Sequence, residues 1–325
     1  MAQERIVITG ITGFTGSHLA ECALSYWNRA QIFGLKRPSS NLSNLCAVQN
    51  SLTLVDVDVL APKELAGVLS DISPTKVFHL AGISNVAYSF LNPAEVISVN
   101  TIGTINLFEA IKAVAPKARV HLCSSVEVYG NVPFSMQPMN ETTRFLPRNP
   151  LGISKVASHF FGDYYHRVFN LDVFTTASLS LTGPRKPERF AESSFARQIA
   201  LIEKRMMEPI IRVGDLSTIR TFVDVRDAVR AYCILMDKSS SGAEYLVGGD
   251  TVISIRAVLD KLIEMSHIKV DVRVDEKLIR PGEITTQIAD SSRIRKEFGW
   301  KPLLPFEKSL LDLLDYWRER VQRTL

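Results

Sequence analysis

The stretch that decides the fold is Thr9-Gly10-Ile11-Thr12-Gly13-Phe14-Thr15-Gly16, near the start of the 325-residue chain. It follows a short β-branched run, residues 5–9, and leads into an apolar segment of helical length. Glycines at such a turn let backbone amides approach a pyrophosphate, whose charge the helix N-terminus stabilises. The spacing G-x-x-G-x-x-G departs from the tighter G-x-G-x-x-G pattern. Its position after the first strand nevertheless predicts a Rossmann-type dinucleotide site.

The end of the second predicted strand indicates which dinucleotide binds. A site for NAD would carry an acidic residue there, on the hydroxyls of the adenosine ribose. This chain instead reads Lys36-Arg37-Pro38-Ser39-Ser40, and two cations beside hydroxyls suit a ribose 2′-phosphate. We therefore expect NADP(H) rather than NAD(H), held in part by Lys36, Arg37 and Ser39. Asp58 is expected to face the adenine amino group, although a plain turn residue would explain it nearly as well.

Strand-like and helix-like segments alternate through the first half of the chain. This alternation, with β-branched strands, is typical of a parallel sheet covered by helices on both faces. The predicted strands are 5–9, 31–36, 52–56, 76–81, 119–124 and 172–181, and the predicted helices are 14–27, 62–69, 93–114 and 149–170. Beyond residue 183 we expect helices near 193–207, 225–237, 254–265 and 306–323, and strands at 209–213 and 244–247.

These segments predict an α/β fold, a doubly wound Rossmann sheet with a smaller C-terminal substrate-binding lobe. Residues 1–182 are expected to form the NADP-binding domain, which elements near 209–250 rejoin. Residues 183–325 are expected to form mainly the substrate lobe. No repeat or low-complexity segment interrupts the chain.

Composition excludes several classes of function. Hydrophobic residues make up 46% and charged residues 22%, and the net charge is only +4. This balance, with acids and bases interleaved, argues against a nucleic-acid partner. The four cysteines are scattered, so we expect no metal site and no disulfide framework. Without an apolar run long enough for a membrane, or a leader pattern, a cytoplasmic protein is expected.

By its ordered motifs the chain resembles the extended short-chain dehydrogenase/reductase family of nucleotide-sugar enzymes. The resemblance covers essentially the whole chain. Besides the glycine loop, the matching segments are His79-Leu80-Ala81-Gly82 with Ser84 and Ser89, Val99-Asn100-Thr101-Ile102-Gly103-Thr104, Ser124-Ser125-Val126-Glu127-Val128-Tyr129-Gly130, Pro150-Leu151-Gly152-Ile153-Ser154-Lys155, Phe222-Val223-Asp224-Val225-Arg226-Asp227, Arg280-Pro281-Gly282-Glu283 and Phe298-Gly299-Trp300-Lys301-Pro302.

The resemblance implies hydride transfer between nicotinamide C4 and a sugar carbon. In relatives a Tyr four residues before the Lys carries the proton, and that position is Leu151 here. Lys155 is implied to hold the nicotinamide ribose, and Ser125 to bond the C4 oxygen of the sugar. Glu127 is implied as an acid or base. Tyr129, Lys155 itself or a water are further candidates for the missing proton path, because leucine has no proton to give.

The resemblance also assigns contacts to both ligands. The expected cofactor-binding residues are Gly10, Thr12, Gly13, Phe14, Thr15, Gly16, Lys36, Arg37, Ser39, Asp58, Val59, Leu80, Ala81 and Lys155. The expected substrate-binding residues are Ser84, Ser180, Arg197, Arg220, Arg280 and Glu283. Two of these regions depart from the family pattern, since Ser180 stands where relatives have Asn and Thr221 where they have Asp.

Within the family, the stretches 36–40, 208–216 and 280–283 most resemble reductases of GDP-linked 4-keto-6-deoxy sugars. The expected function is therefore NADPH-dependent reduction of a GDP-4-keto-6-deoxy-hexose. Two alternatives stay open: a GDP-sugar 4,6-dehydratase or epimerase with a rerouted proton path, and a non-catalytic homologue that binds NADP and nucleotide sugar. A homodimer is implied, since the helices at 93–114 and 149–170 form the dimer interface in relatives.

Overall fold

The computed structural model describes residues 3–279 and 284–322. Its strands are β1 (Arg5–Thr9), β2 (Gln31–Lys36), β3 (Thr53–Asp56), β4 (Lys76–His79), β5 (Arg119–Ser125), β6 (Asp172–Ser178), β7 (Ser180–Thr182), β8 (Ile210–Val213), β9 (Ile219–Asp224), β10 (Glu244–Val247), β11 (Thr251–Ser254), β12 (Asp271–Val274) and β13 (Thr286–Gln287). Its helices are α1 (Phe14–Tyr26), α2 (Pro62–Ile72), α3 (Val86–Leu91), α4 (Pro93–Ile97), α5 (Gly103–Val114), α6 (Pro150–Phe169), α7 (Ala191–Glu203), α8 (Val225–Lys238), α9 (Ile255–Ser266), α10 (Ser292–Phe298) and α11 (Phe306–Gln322).

The large sheet has seven parallel strands in the order β10-β6-β5-β4-β1-β2-β3. From β3 to β6 this is the doubly wound Rossmann order, so the predicted fold class is confirmed. The strand order reverses between β1 and β4, and ligands of such sheets bind in the crevice at that point. The glycine loop, which follows β1 directly, therefore lies at the expected binding crevice.

Alternation along β1 explains how both faces of this sheet are covered. Successive side chains of a strand point to opposite faces. Ile6 and Ile8 accordingly join a buried cluster with residues of α1 and α8. Val7 joins a second cluster with residues of α2, α5 and α6. Helix α8 and strand β10, although late in the chain, thus complete the Rossmann layer.

A second, smaller lobe is built around β9. This strand pairs with β11 in antiparallel fashion and with β7 and β13 in parallel fashion. The parallel pair β8 and β12 lies apart from it. Apolar residues of α7, α9 and α11 form the core of this lobe. Among the described helices, none is both long and apolar enough to cross a membrane.

Two predicted elements are wrong in detail. The strand expected at 172–181 breaks after Ser178, because the N–H of Leu179 bonds the carbonyl of Val247 and the next residues pair with β9. The helix expected at 93–114 contains a π-helical turn over Ser98–Ile102, which buries Asn100 and Thr101. The strands at β9, β11, β12 and β13 were not predicted, since short strands that pair across lobes carry little local signal.

Candidate active site

The glycine loop packs closely against the end of β4. Gly10 has a φ of 68°, and a Cβ on it would lie 2.8 Å from the backbone nitrogen of Ala81. A Cβ on Gly16 would lie 2.2 Å from the carbonyl oxygen of Gly10. Gly13 is the N-cap of α1, and no described side chain caps that end. The first amides of α1 are therefore left for an anion. Thr12, Phe14 and Thr15 lie partly exposed around the loop.

A buried polar cluster fixes the exit of β4. The Thr9 hydroxyl accepts hydrogen bonds from the N–H groups of Leu80 and Ala81, at 3.1 and 3.0 Å. It also contacts Nδ1 of His79 at 2.9 Å, while Nε2 of His79 contacts the Thr104 hydroxyl at 3.0 Å. Burial lowers the pKa of His79 to about 3. The imidazole is thus neutral at physiological pH, and it acts as a fixed link between β1, β4 and α5.

Of the residues expected near the adenosine end of the dinucleotide, some contact other protein groups and others are exposed. Lys36 forms an ion pair with Asp56 at the end of β3. Arg37 is exposed and, within the described ranges, pairs with no carboxylate. Asp58 accepts a hydrogen bond from the N–H of Leu60 at 2.9 Å, so it closes a turn. Arg37 is therefore the cation left for a phosphate; Ser39 beside it is also exposed, and Val59 is buried.

Lys155 occupies the centre of the crevice. Its Nζ donates a hydrogen bond to the carbonyl of Cys123 at 2.8 Å, near the carboxyl end of β5. A Cβ on Gly82 would lie 3.6 Å from this Nζ and 2.9 Å from Oδ1 of Asn100. Burial lowers the pKa of the Lys155 ammonium. The side chain therefore projects between the ends of β4 and β5, on the side of the glycine loop.

Leu151 is the second residue of the same helix, one turn before Lys155, and it is 2% exposed. The surrounding backbone is held by hydroxyl and amide contacts. The Ser154 hydroxyl donates to the carbonyl of Leu151 at 2.7 Å and accepts from Nδ2 of Asn100 at 2.9 Å. The Asn100 amide also exchanges two hydrogen bonds with the backbone of Ile83. An apolar side chain thus lies one turn before Lys155, in a frame held by hydrogen bonds.

Ser125 and Glu127 lie together where β5 ends. The Ser125 hydroxyl accepts a hydrogen bond from the N–H of Glu127 at 3.2 Å. One oxygen of the Glu127 carboxylate accepts from Nδ2 of Asn149 at 2.6 Å, and the other from Nε2 of Gln287 at 3.3 Å. Tyr129 is buried, and burial raises the pKa of its hydroxyl. Tyr129 is therefore a poor proton donor.

The residues expected to bind the substrate are more dispersed. Ser84 is exposed in the loop after β4, and Ser180 lies in β7. Arg197 on α7 pairs with Glu188 at 2.6 Å and lies over the ring of Trp317. Arg220 donates from Nη2 to the carbonyl of Ile284 at 2.6 Å, and from Nη1 to that of Thr285 at 3.3 Å. Arg280 and Glu283 lie outside the described residues.

Sequence reasoning did not single out two residues that contact the predicted acid–base group. Asn149 precedes Pro150 and caps α6, a pattern that the sequence signals. Gln287 lies in a two-residue strand and has no such signal. Only the pairing of β13 with β9 brings it to Glu127.

The switch-point crevice, the glycine loop and Lys155 on α6 together define a dinucleotide-dependent enzyme fold of the epimerase and dehydratase type. The chain belongs to the GDP-mannose 4,6-dehydratase family, whose model matches residues 7–313. The family relationship expected from the sequence is thereby confirmed.

Relatives match over almost their full length. GDP-6-deoxy-D-mannose reductase of Pseudomonas aeruginosa is 28% identical over 323 residues, which cover 98% of this chain and 99% of that protein. GDP-mannose 4,6-dehydratase of Yersinia enterocolitica is 26% identical and covers 96% of this chain and 93% of its own length.

Solved structures share the fold. RMD of Pseudomonas aeruginosa, in complex with NADPH, superposes with a TM-score of 0.82 at 28% identity, covering 98% of this chain and 100% of that one. UDP-glucose 4-epimerase of Thermotoga maritima has a TM-score of 0.87 at 24% identity, covering 98% and 99% of the two chains. The second likeness concerns the fold alone.

Proposed function

We propose that this protein is a nucleotide-sugar oxidoreductase that reduces a GDP-linked 4-keto-6-deoxy-hexose with NADPH. The observation that carries the proposal is the position of Lys155, whose ammonium projects between the ends of β4 and β5 beside a glycine loop with an uncapped helix. The full-length match to GDP-6-deoxy-D-mannose reductase of Pseudomonas aeruginosa supports the choice of substrate. We assign residues 1–182, with the returning α8 and β10, to the cofactor domain and most of 183–325 to the substrate lobe.

The residues of the crevice fit NADP(H). Gly10 and Gly16 leave no room for a Cβ, and the uncapped start of α1 offers N–H groups for the pyrophosphate. Exposed Arg37 and Ser39 suit a 2′-phosphate, whereas Lys36 is already paired with Asp56. When bound, the dinucleotide supplies the hydride. Lys155 is assigned to its nicotinamide ribose, where relatives are expected to place the same residue.

Lys155 is also our proposed proton donor in the reduction, because Leu151 has no proton. Burial lowers the pKa of the Lys155 ammonium, so the group releases its proton more readily than an exposed lysine. The Ser125 hydroxyl, at the end of β5, is assigned to the sugar C4 oxygen. The Glu127 carboxylate is assigned to the neighbouring part of the sugar ring, where it accepts a hydrogen bond from a hydroxyl.

One observation favours a second candidate, 4,6-dehydration of a GDP-sugar. Glu127 lies beside Ser125 at the end of β5, and its two carboxylate oxygens accept N–H groups of Asn149 and Gln287. A carboxylate removes protons, and a 4-keto group acidifies the proton on the adjacent C5. Glu127 is thus suited to an elimination in which C5 loses its proton and C6 its hydroxyl group, together as water. The similarity to GDP-mannose 4,6-dehydratases is compatible with this alternative.

We propose that the substrate lies between the ends of β5 and β9. Ser84, Ser180 and Arg197 are assigned to the nucleotide sugar, together with Arg280 and Glu283. Arg220 is assigned a less direct part, since its guanidinium bonds the carbonyls of Ile284 and Thr285. It would hold the backbone at Ile284 and Thr285, just before β13. We place the enzyme in the cytoplasm, where both ligands are available.

A homodimer is proposed on the exposed face of α6. Ile153, Phe160, Tyr164 and Val168 follow one another at spacings of seven, four and four residues, and they are 51%, 58%, 44% and 56% exposed. These spacings place the four side chains on one face of the helix. A second copy would cover this apolar stripe. Light scattering should give twice the chain mass, and Phe160→Glu should give a monomer.

The function is tested by mixing the protein with NADPH and GDP-4-keto-6-deoxymannose and following absorbance and the mass of the sugar product. We expect NADPH oxidation and a product two mass units heavier, and loss of both in Lys155→Met. GDP-mannose and NADP⁺ are supplied in a parallel reaction. A product lighter by one water there, with no reduction of the ketone, would replace the reductase by the dehydratase. NADPH binding without either product would leave a non-catalytic homologue.

A further inference from the structure

The carboxylate of Glu127 is held by two amide side chains from distant parts of the chain. Nδ2 of Asn149 donates to Oε2 at 2.6 Å, and Nε2 of Gln287 donates to Oε1 at 3.3 Å. Within residues 3–279 and 284–322, no lysine, arginine or histidine forms an ion pair with this carboxylate. Its orientation therefore depends on these amides and on solvent.

The two amides are not equivalent. Oδ1 of Asn149 also accepts the N–H of Gly152 at 2.8 Å, which caps the start of α6. Truncation of Asn149 would therefore also uncap the helix that carries Lys155. Gln287 belongs instead to β13 of the C-terminal lobe, and it is 2% exposed.

The backbone of β13 is fixed on both sides of Gln287. Arg220 donates to the carbonyl of Ile284 at 2.6 Å, before the strand. Nε2 of Gln137 donates to the carbonyl of Thr286 at 3.0 Å, just before Gln287, and Oε1 of Gln137 accepts the N–H of Ile288 at 2.7 Å, just after it. A buried side chain on so constrained a backbone has few rotamers to choose from, so its amide is preorganised.

We propose that Gln287 is a positioning residue: it reaches from the C-terminal lobe and turns the Glu127 carboxylate toward the sugar. The inference rests on the proposed function, in which Glu127 contacts the substrate. The orientation of the Glu127 carboxylate, which belongs to the Rossmann domain, would then depend on how β13 packs against that domain. The residue acts through Glu127 and needs no contact with the substrate itself.

The test uses Gln287→Met, which keeps the length of the side chain and removes both N–H donors. Gln287→Glu is the second variant, since it keeps the shape and replaces the donor by a like charge. Thr286→Val, on the same strand, is the matched control. Each is measured for kcat and KM in the reaction that the parent performs, alone and combined with Glu127→Gln, with thermal denaturation as the check on folding.

We expect kcat to fall about 10-fold in Gln287→Met, the lower end for a lost hydrogen bond to a charged group. The kcat of Gln287→Glu should fall further, because the new carboxylate repels the carboxylate of Glu127. KM for NADPH should stay within about 2-fold of the parent, since the Gln287 amide bonds Glu127 and not the glycine loop. In the Glu127→Gln background the Gln287→Met loss should disappear. An equal loss in both backgrounds, or a matching loss in Thr286→Val, would overturn the proposal.

Crystal structures of the parent and Gln287→Met give a readout that needs no turnover. We expect the Glu127 carboxylate to leave its parental rotamer in the variant. If it moves while the parent neither reduces the ketone nor dehydrates GDP-mannose, the proposed function fails and the positioning role stands. If the carboxylate keeps its place in Gln287→Met, the positioning role is wrong, whatever the reaction.

Discussion

Replacing Leu151 by Tyr should convert the site into one with an ordinary phenolic proton donor. Leu151 lies in the first turn of α6, and Lys155 follows four residues later, about 6 Å along the axis and on the same face. A phenol at 151 would therefore lie beside the Lys155 ammonium. That charge lowers the pKa of a neighbouring phenol, which makes it a better acid.

The expected gain in reaction rate can be compared with the expected loss of folding stability. A positioned general acid contributes about 10²- to 10⁴-fold, which corresponds to about 2.7 to 5.4 kcal/mol of barrier. Leu151 is 2% exposed, so the larger ring must displace its neighbours. Overpacking of this kind costs about 1 to 3 kcal/mol of folding stability. Since Lys155 already donates a proton in our proposal, we expect single-turnover reduction to be at most about 100-fold faster in Leu151→Tyr, the lower end of this range. A lower melting temperature should accompany the gain.

The assay is single-turnover loss of NADPH absorbance with GDP-4-keto-6-deoxymannose, for the parent, Leu151→Tyr and Leu151→Phe. The Phe variant carries the same ring without the hydroxyl, so it isolates the proton from the packing. NADPH affinity is measured for all three. If the Tyr variant binds NADPH but reacts no faster than the Phe variant, position 151 does not face the reacting oxygen and the reasoning is refuted.

Gly16→Ala should abolish NADPH binding, because its Cβ would lie 2.2 Å from the carbonyl oxygen of Gly10; calorimetric binding equal to the parent would contradict this. Arg37→Met should weaken NADPH binding about 10- to 100-fold and leave NADH unchanged, as a competition titration would measure. Acidification should destabilise the fold, because burial lowers the pKa values of His79 and His121 to about 3. The unfolded chain then binds more protons between about pH 6.5 and 3, so stability falls as the pH falls through this window. Thermal denaturation at pH 7 and pH 4.5 should show a smaller acid loss in His121→Phe, and an equal loss would count against this account.

Local pattern determined the layout of the fold. The strands Arg5–Thr9, Gln31–Lys36 and Glu244–Val247 occur with their predicted bounds, because a buried parallel strand is a short apolar run that its own residues define. The glycine loop was equally readable, since its requirement for glycine comes from the turn itself. The position of Leu151 relative to Lys155 follows from helical spacing alone.

Tertiary structure decided which of the candidate side chains are available. The sequence predicts Lys36 and Arg37 equally as ligands of the 2′-phosphate. In the structure, however, Lys36 forms an ion pair with Asp56 on the neighbouring strand, whereas Arg37 is exposed. Gln287 reaches Glu127 across 160 positions of the chain. Such contacts depend on which strands become neighbours, and that is fixed by the packing of the whole chain. No local periodicity encodes it, so the contact of Gln287 with Glu127 could be identified only from the tertiary structure.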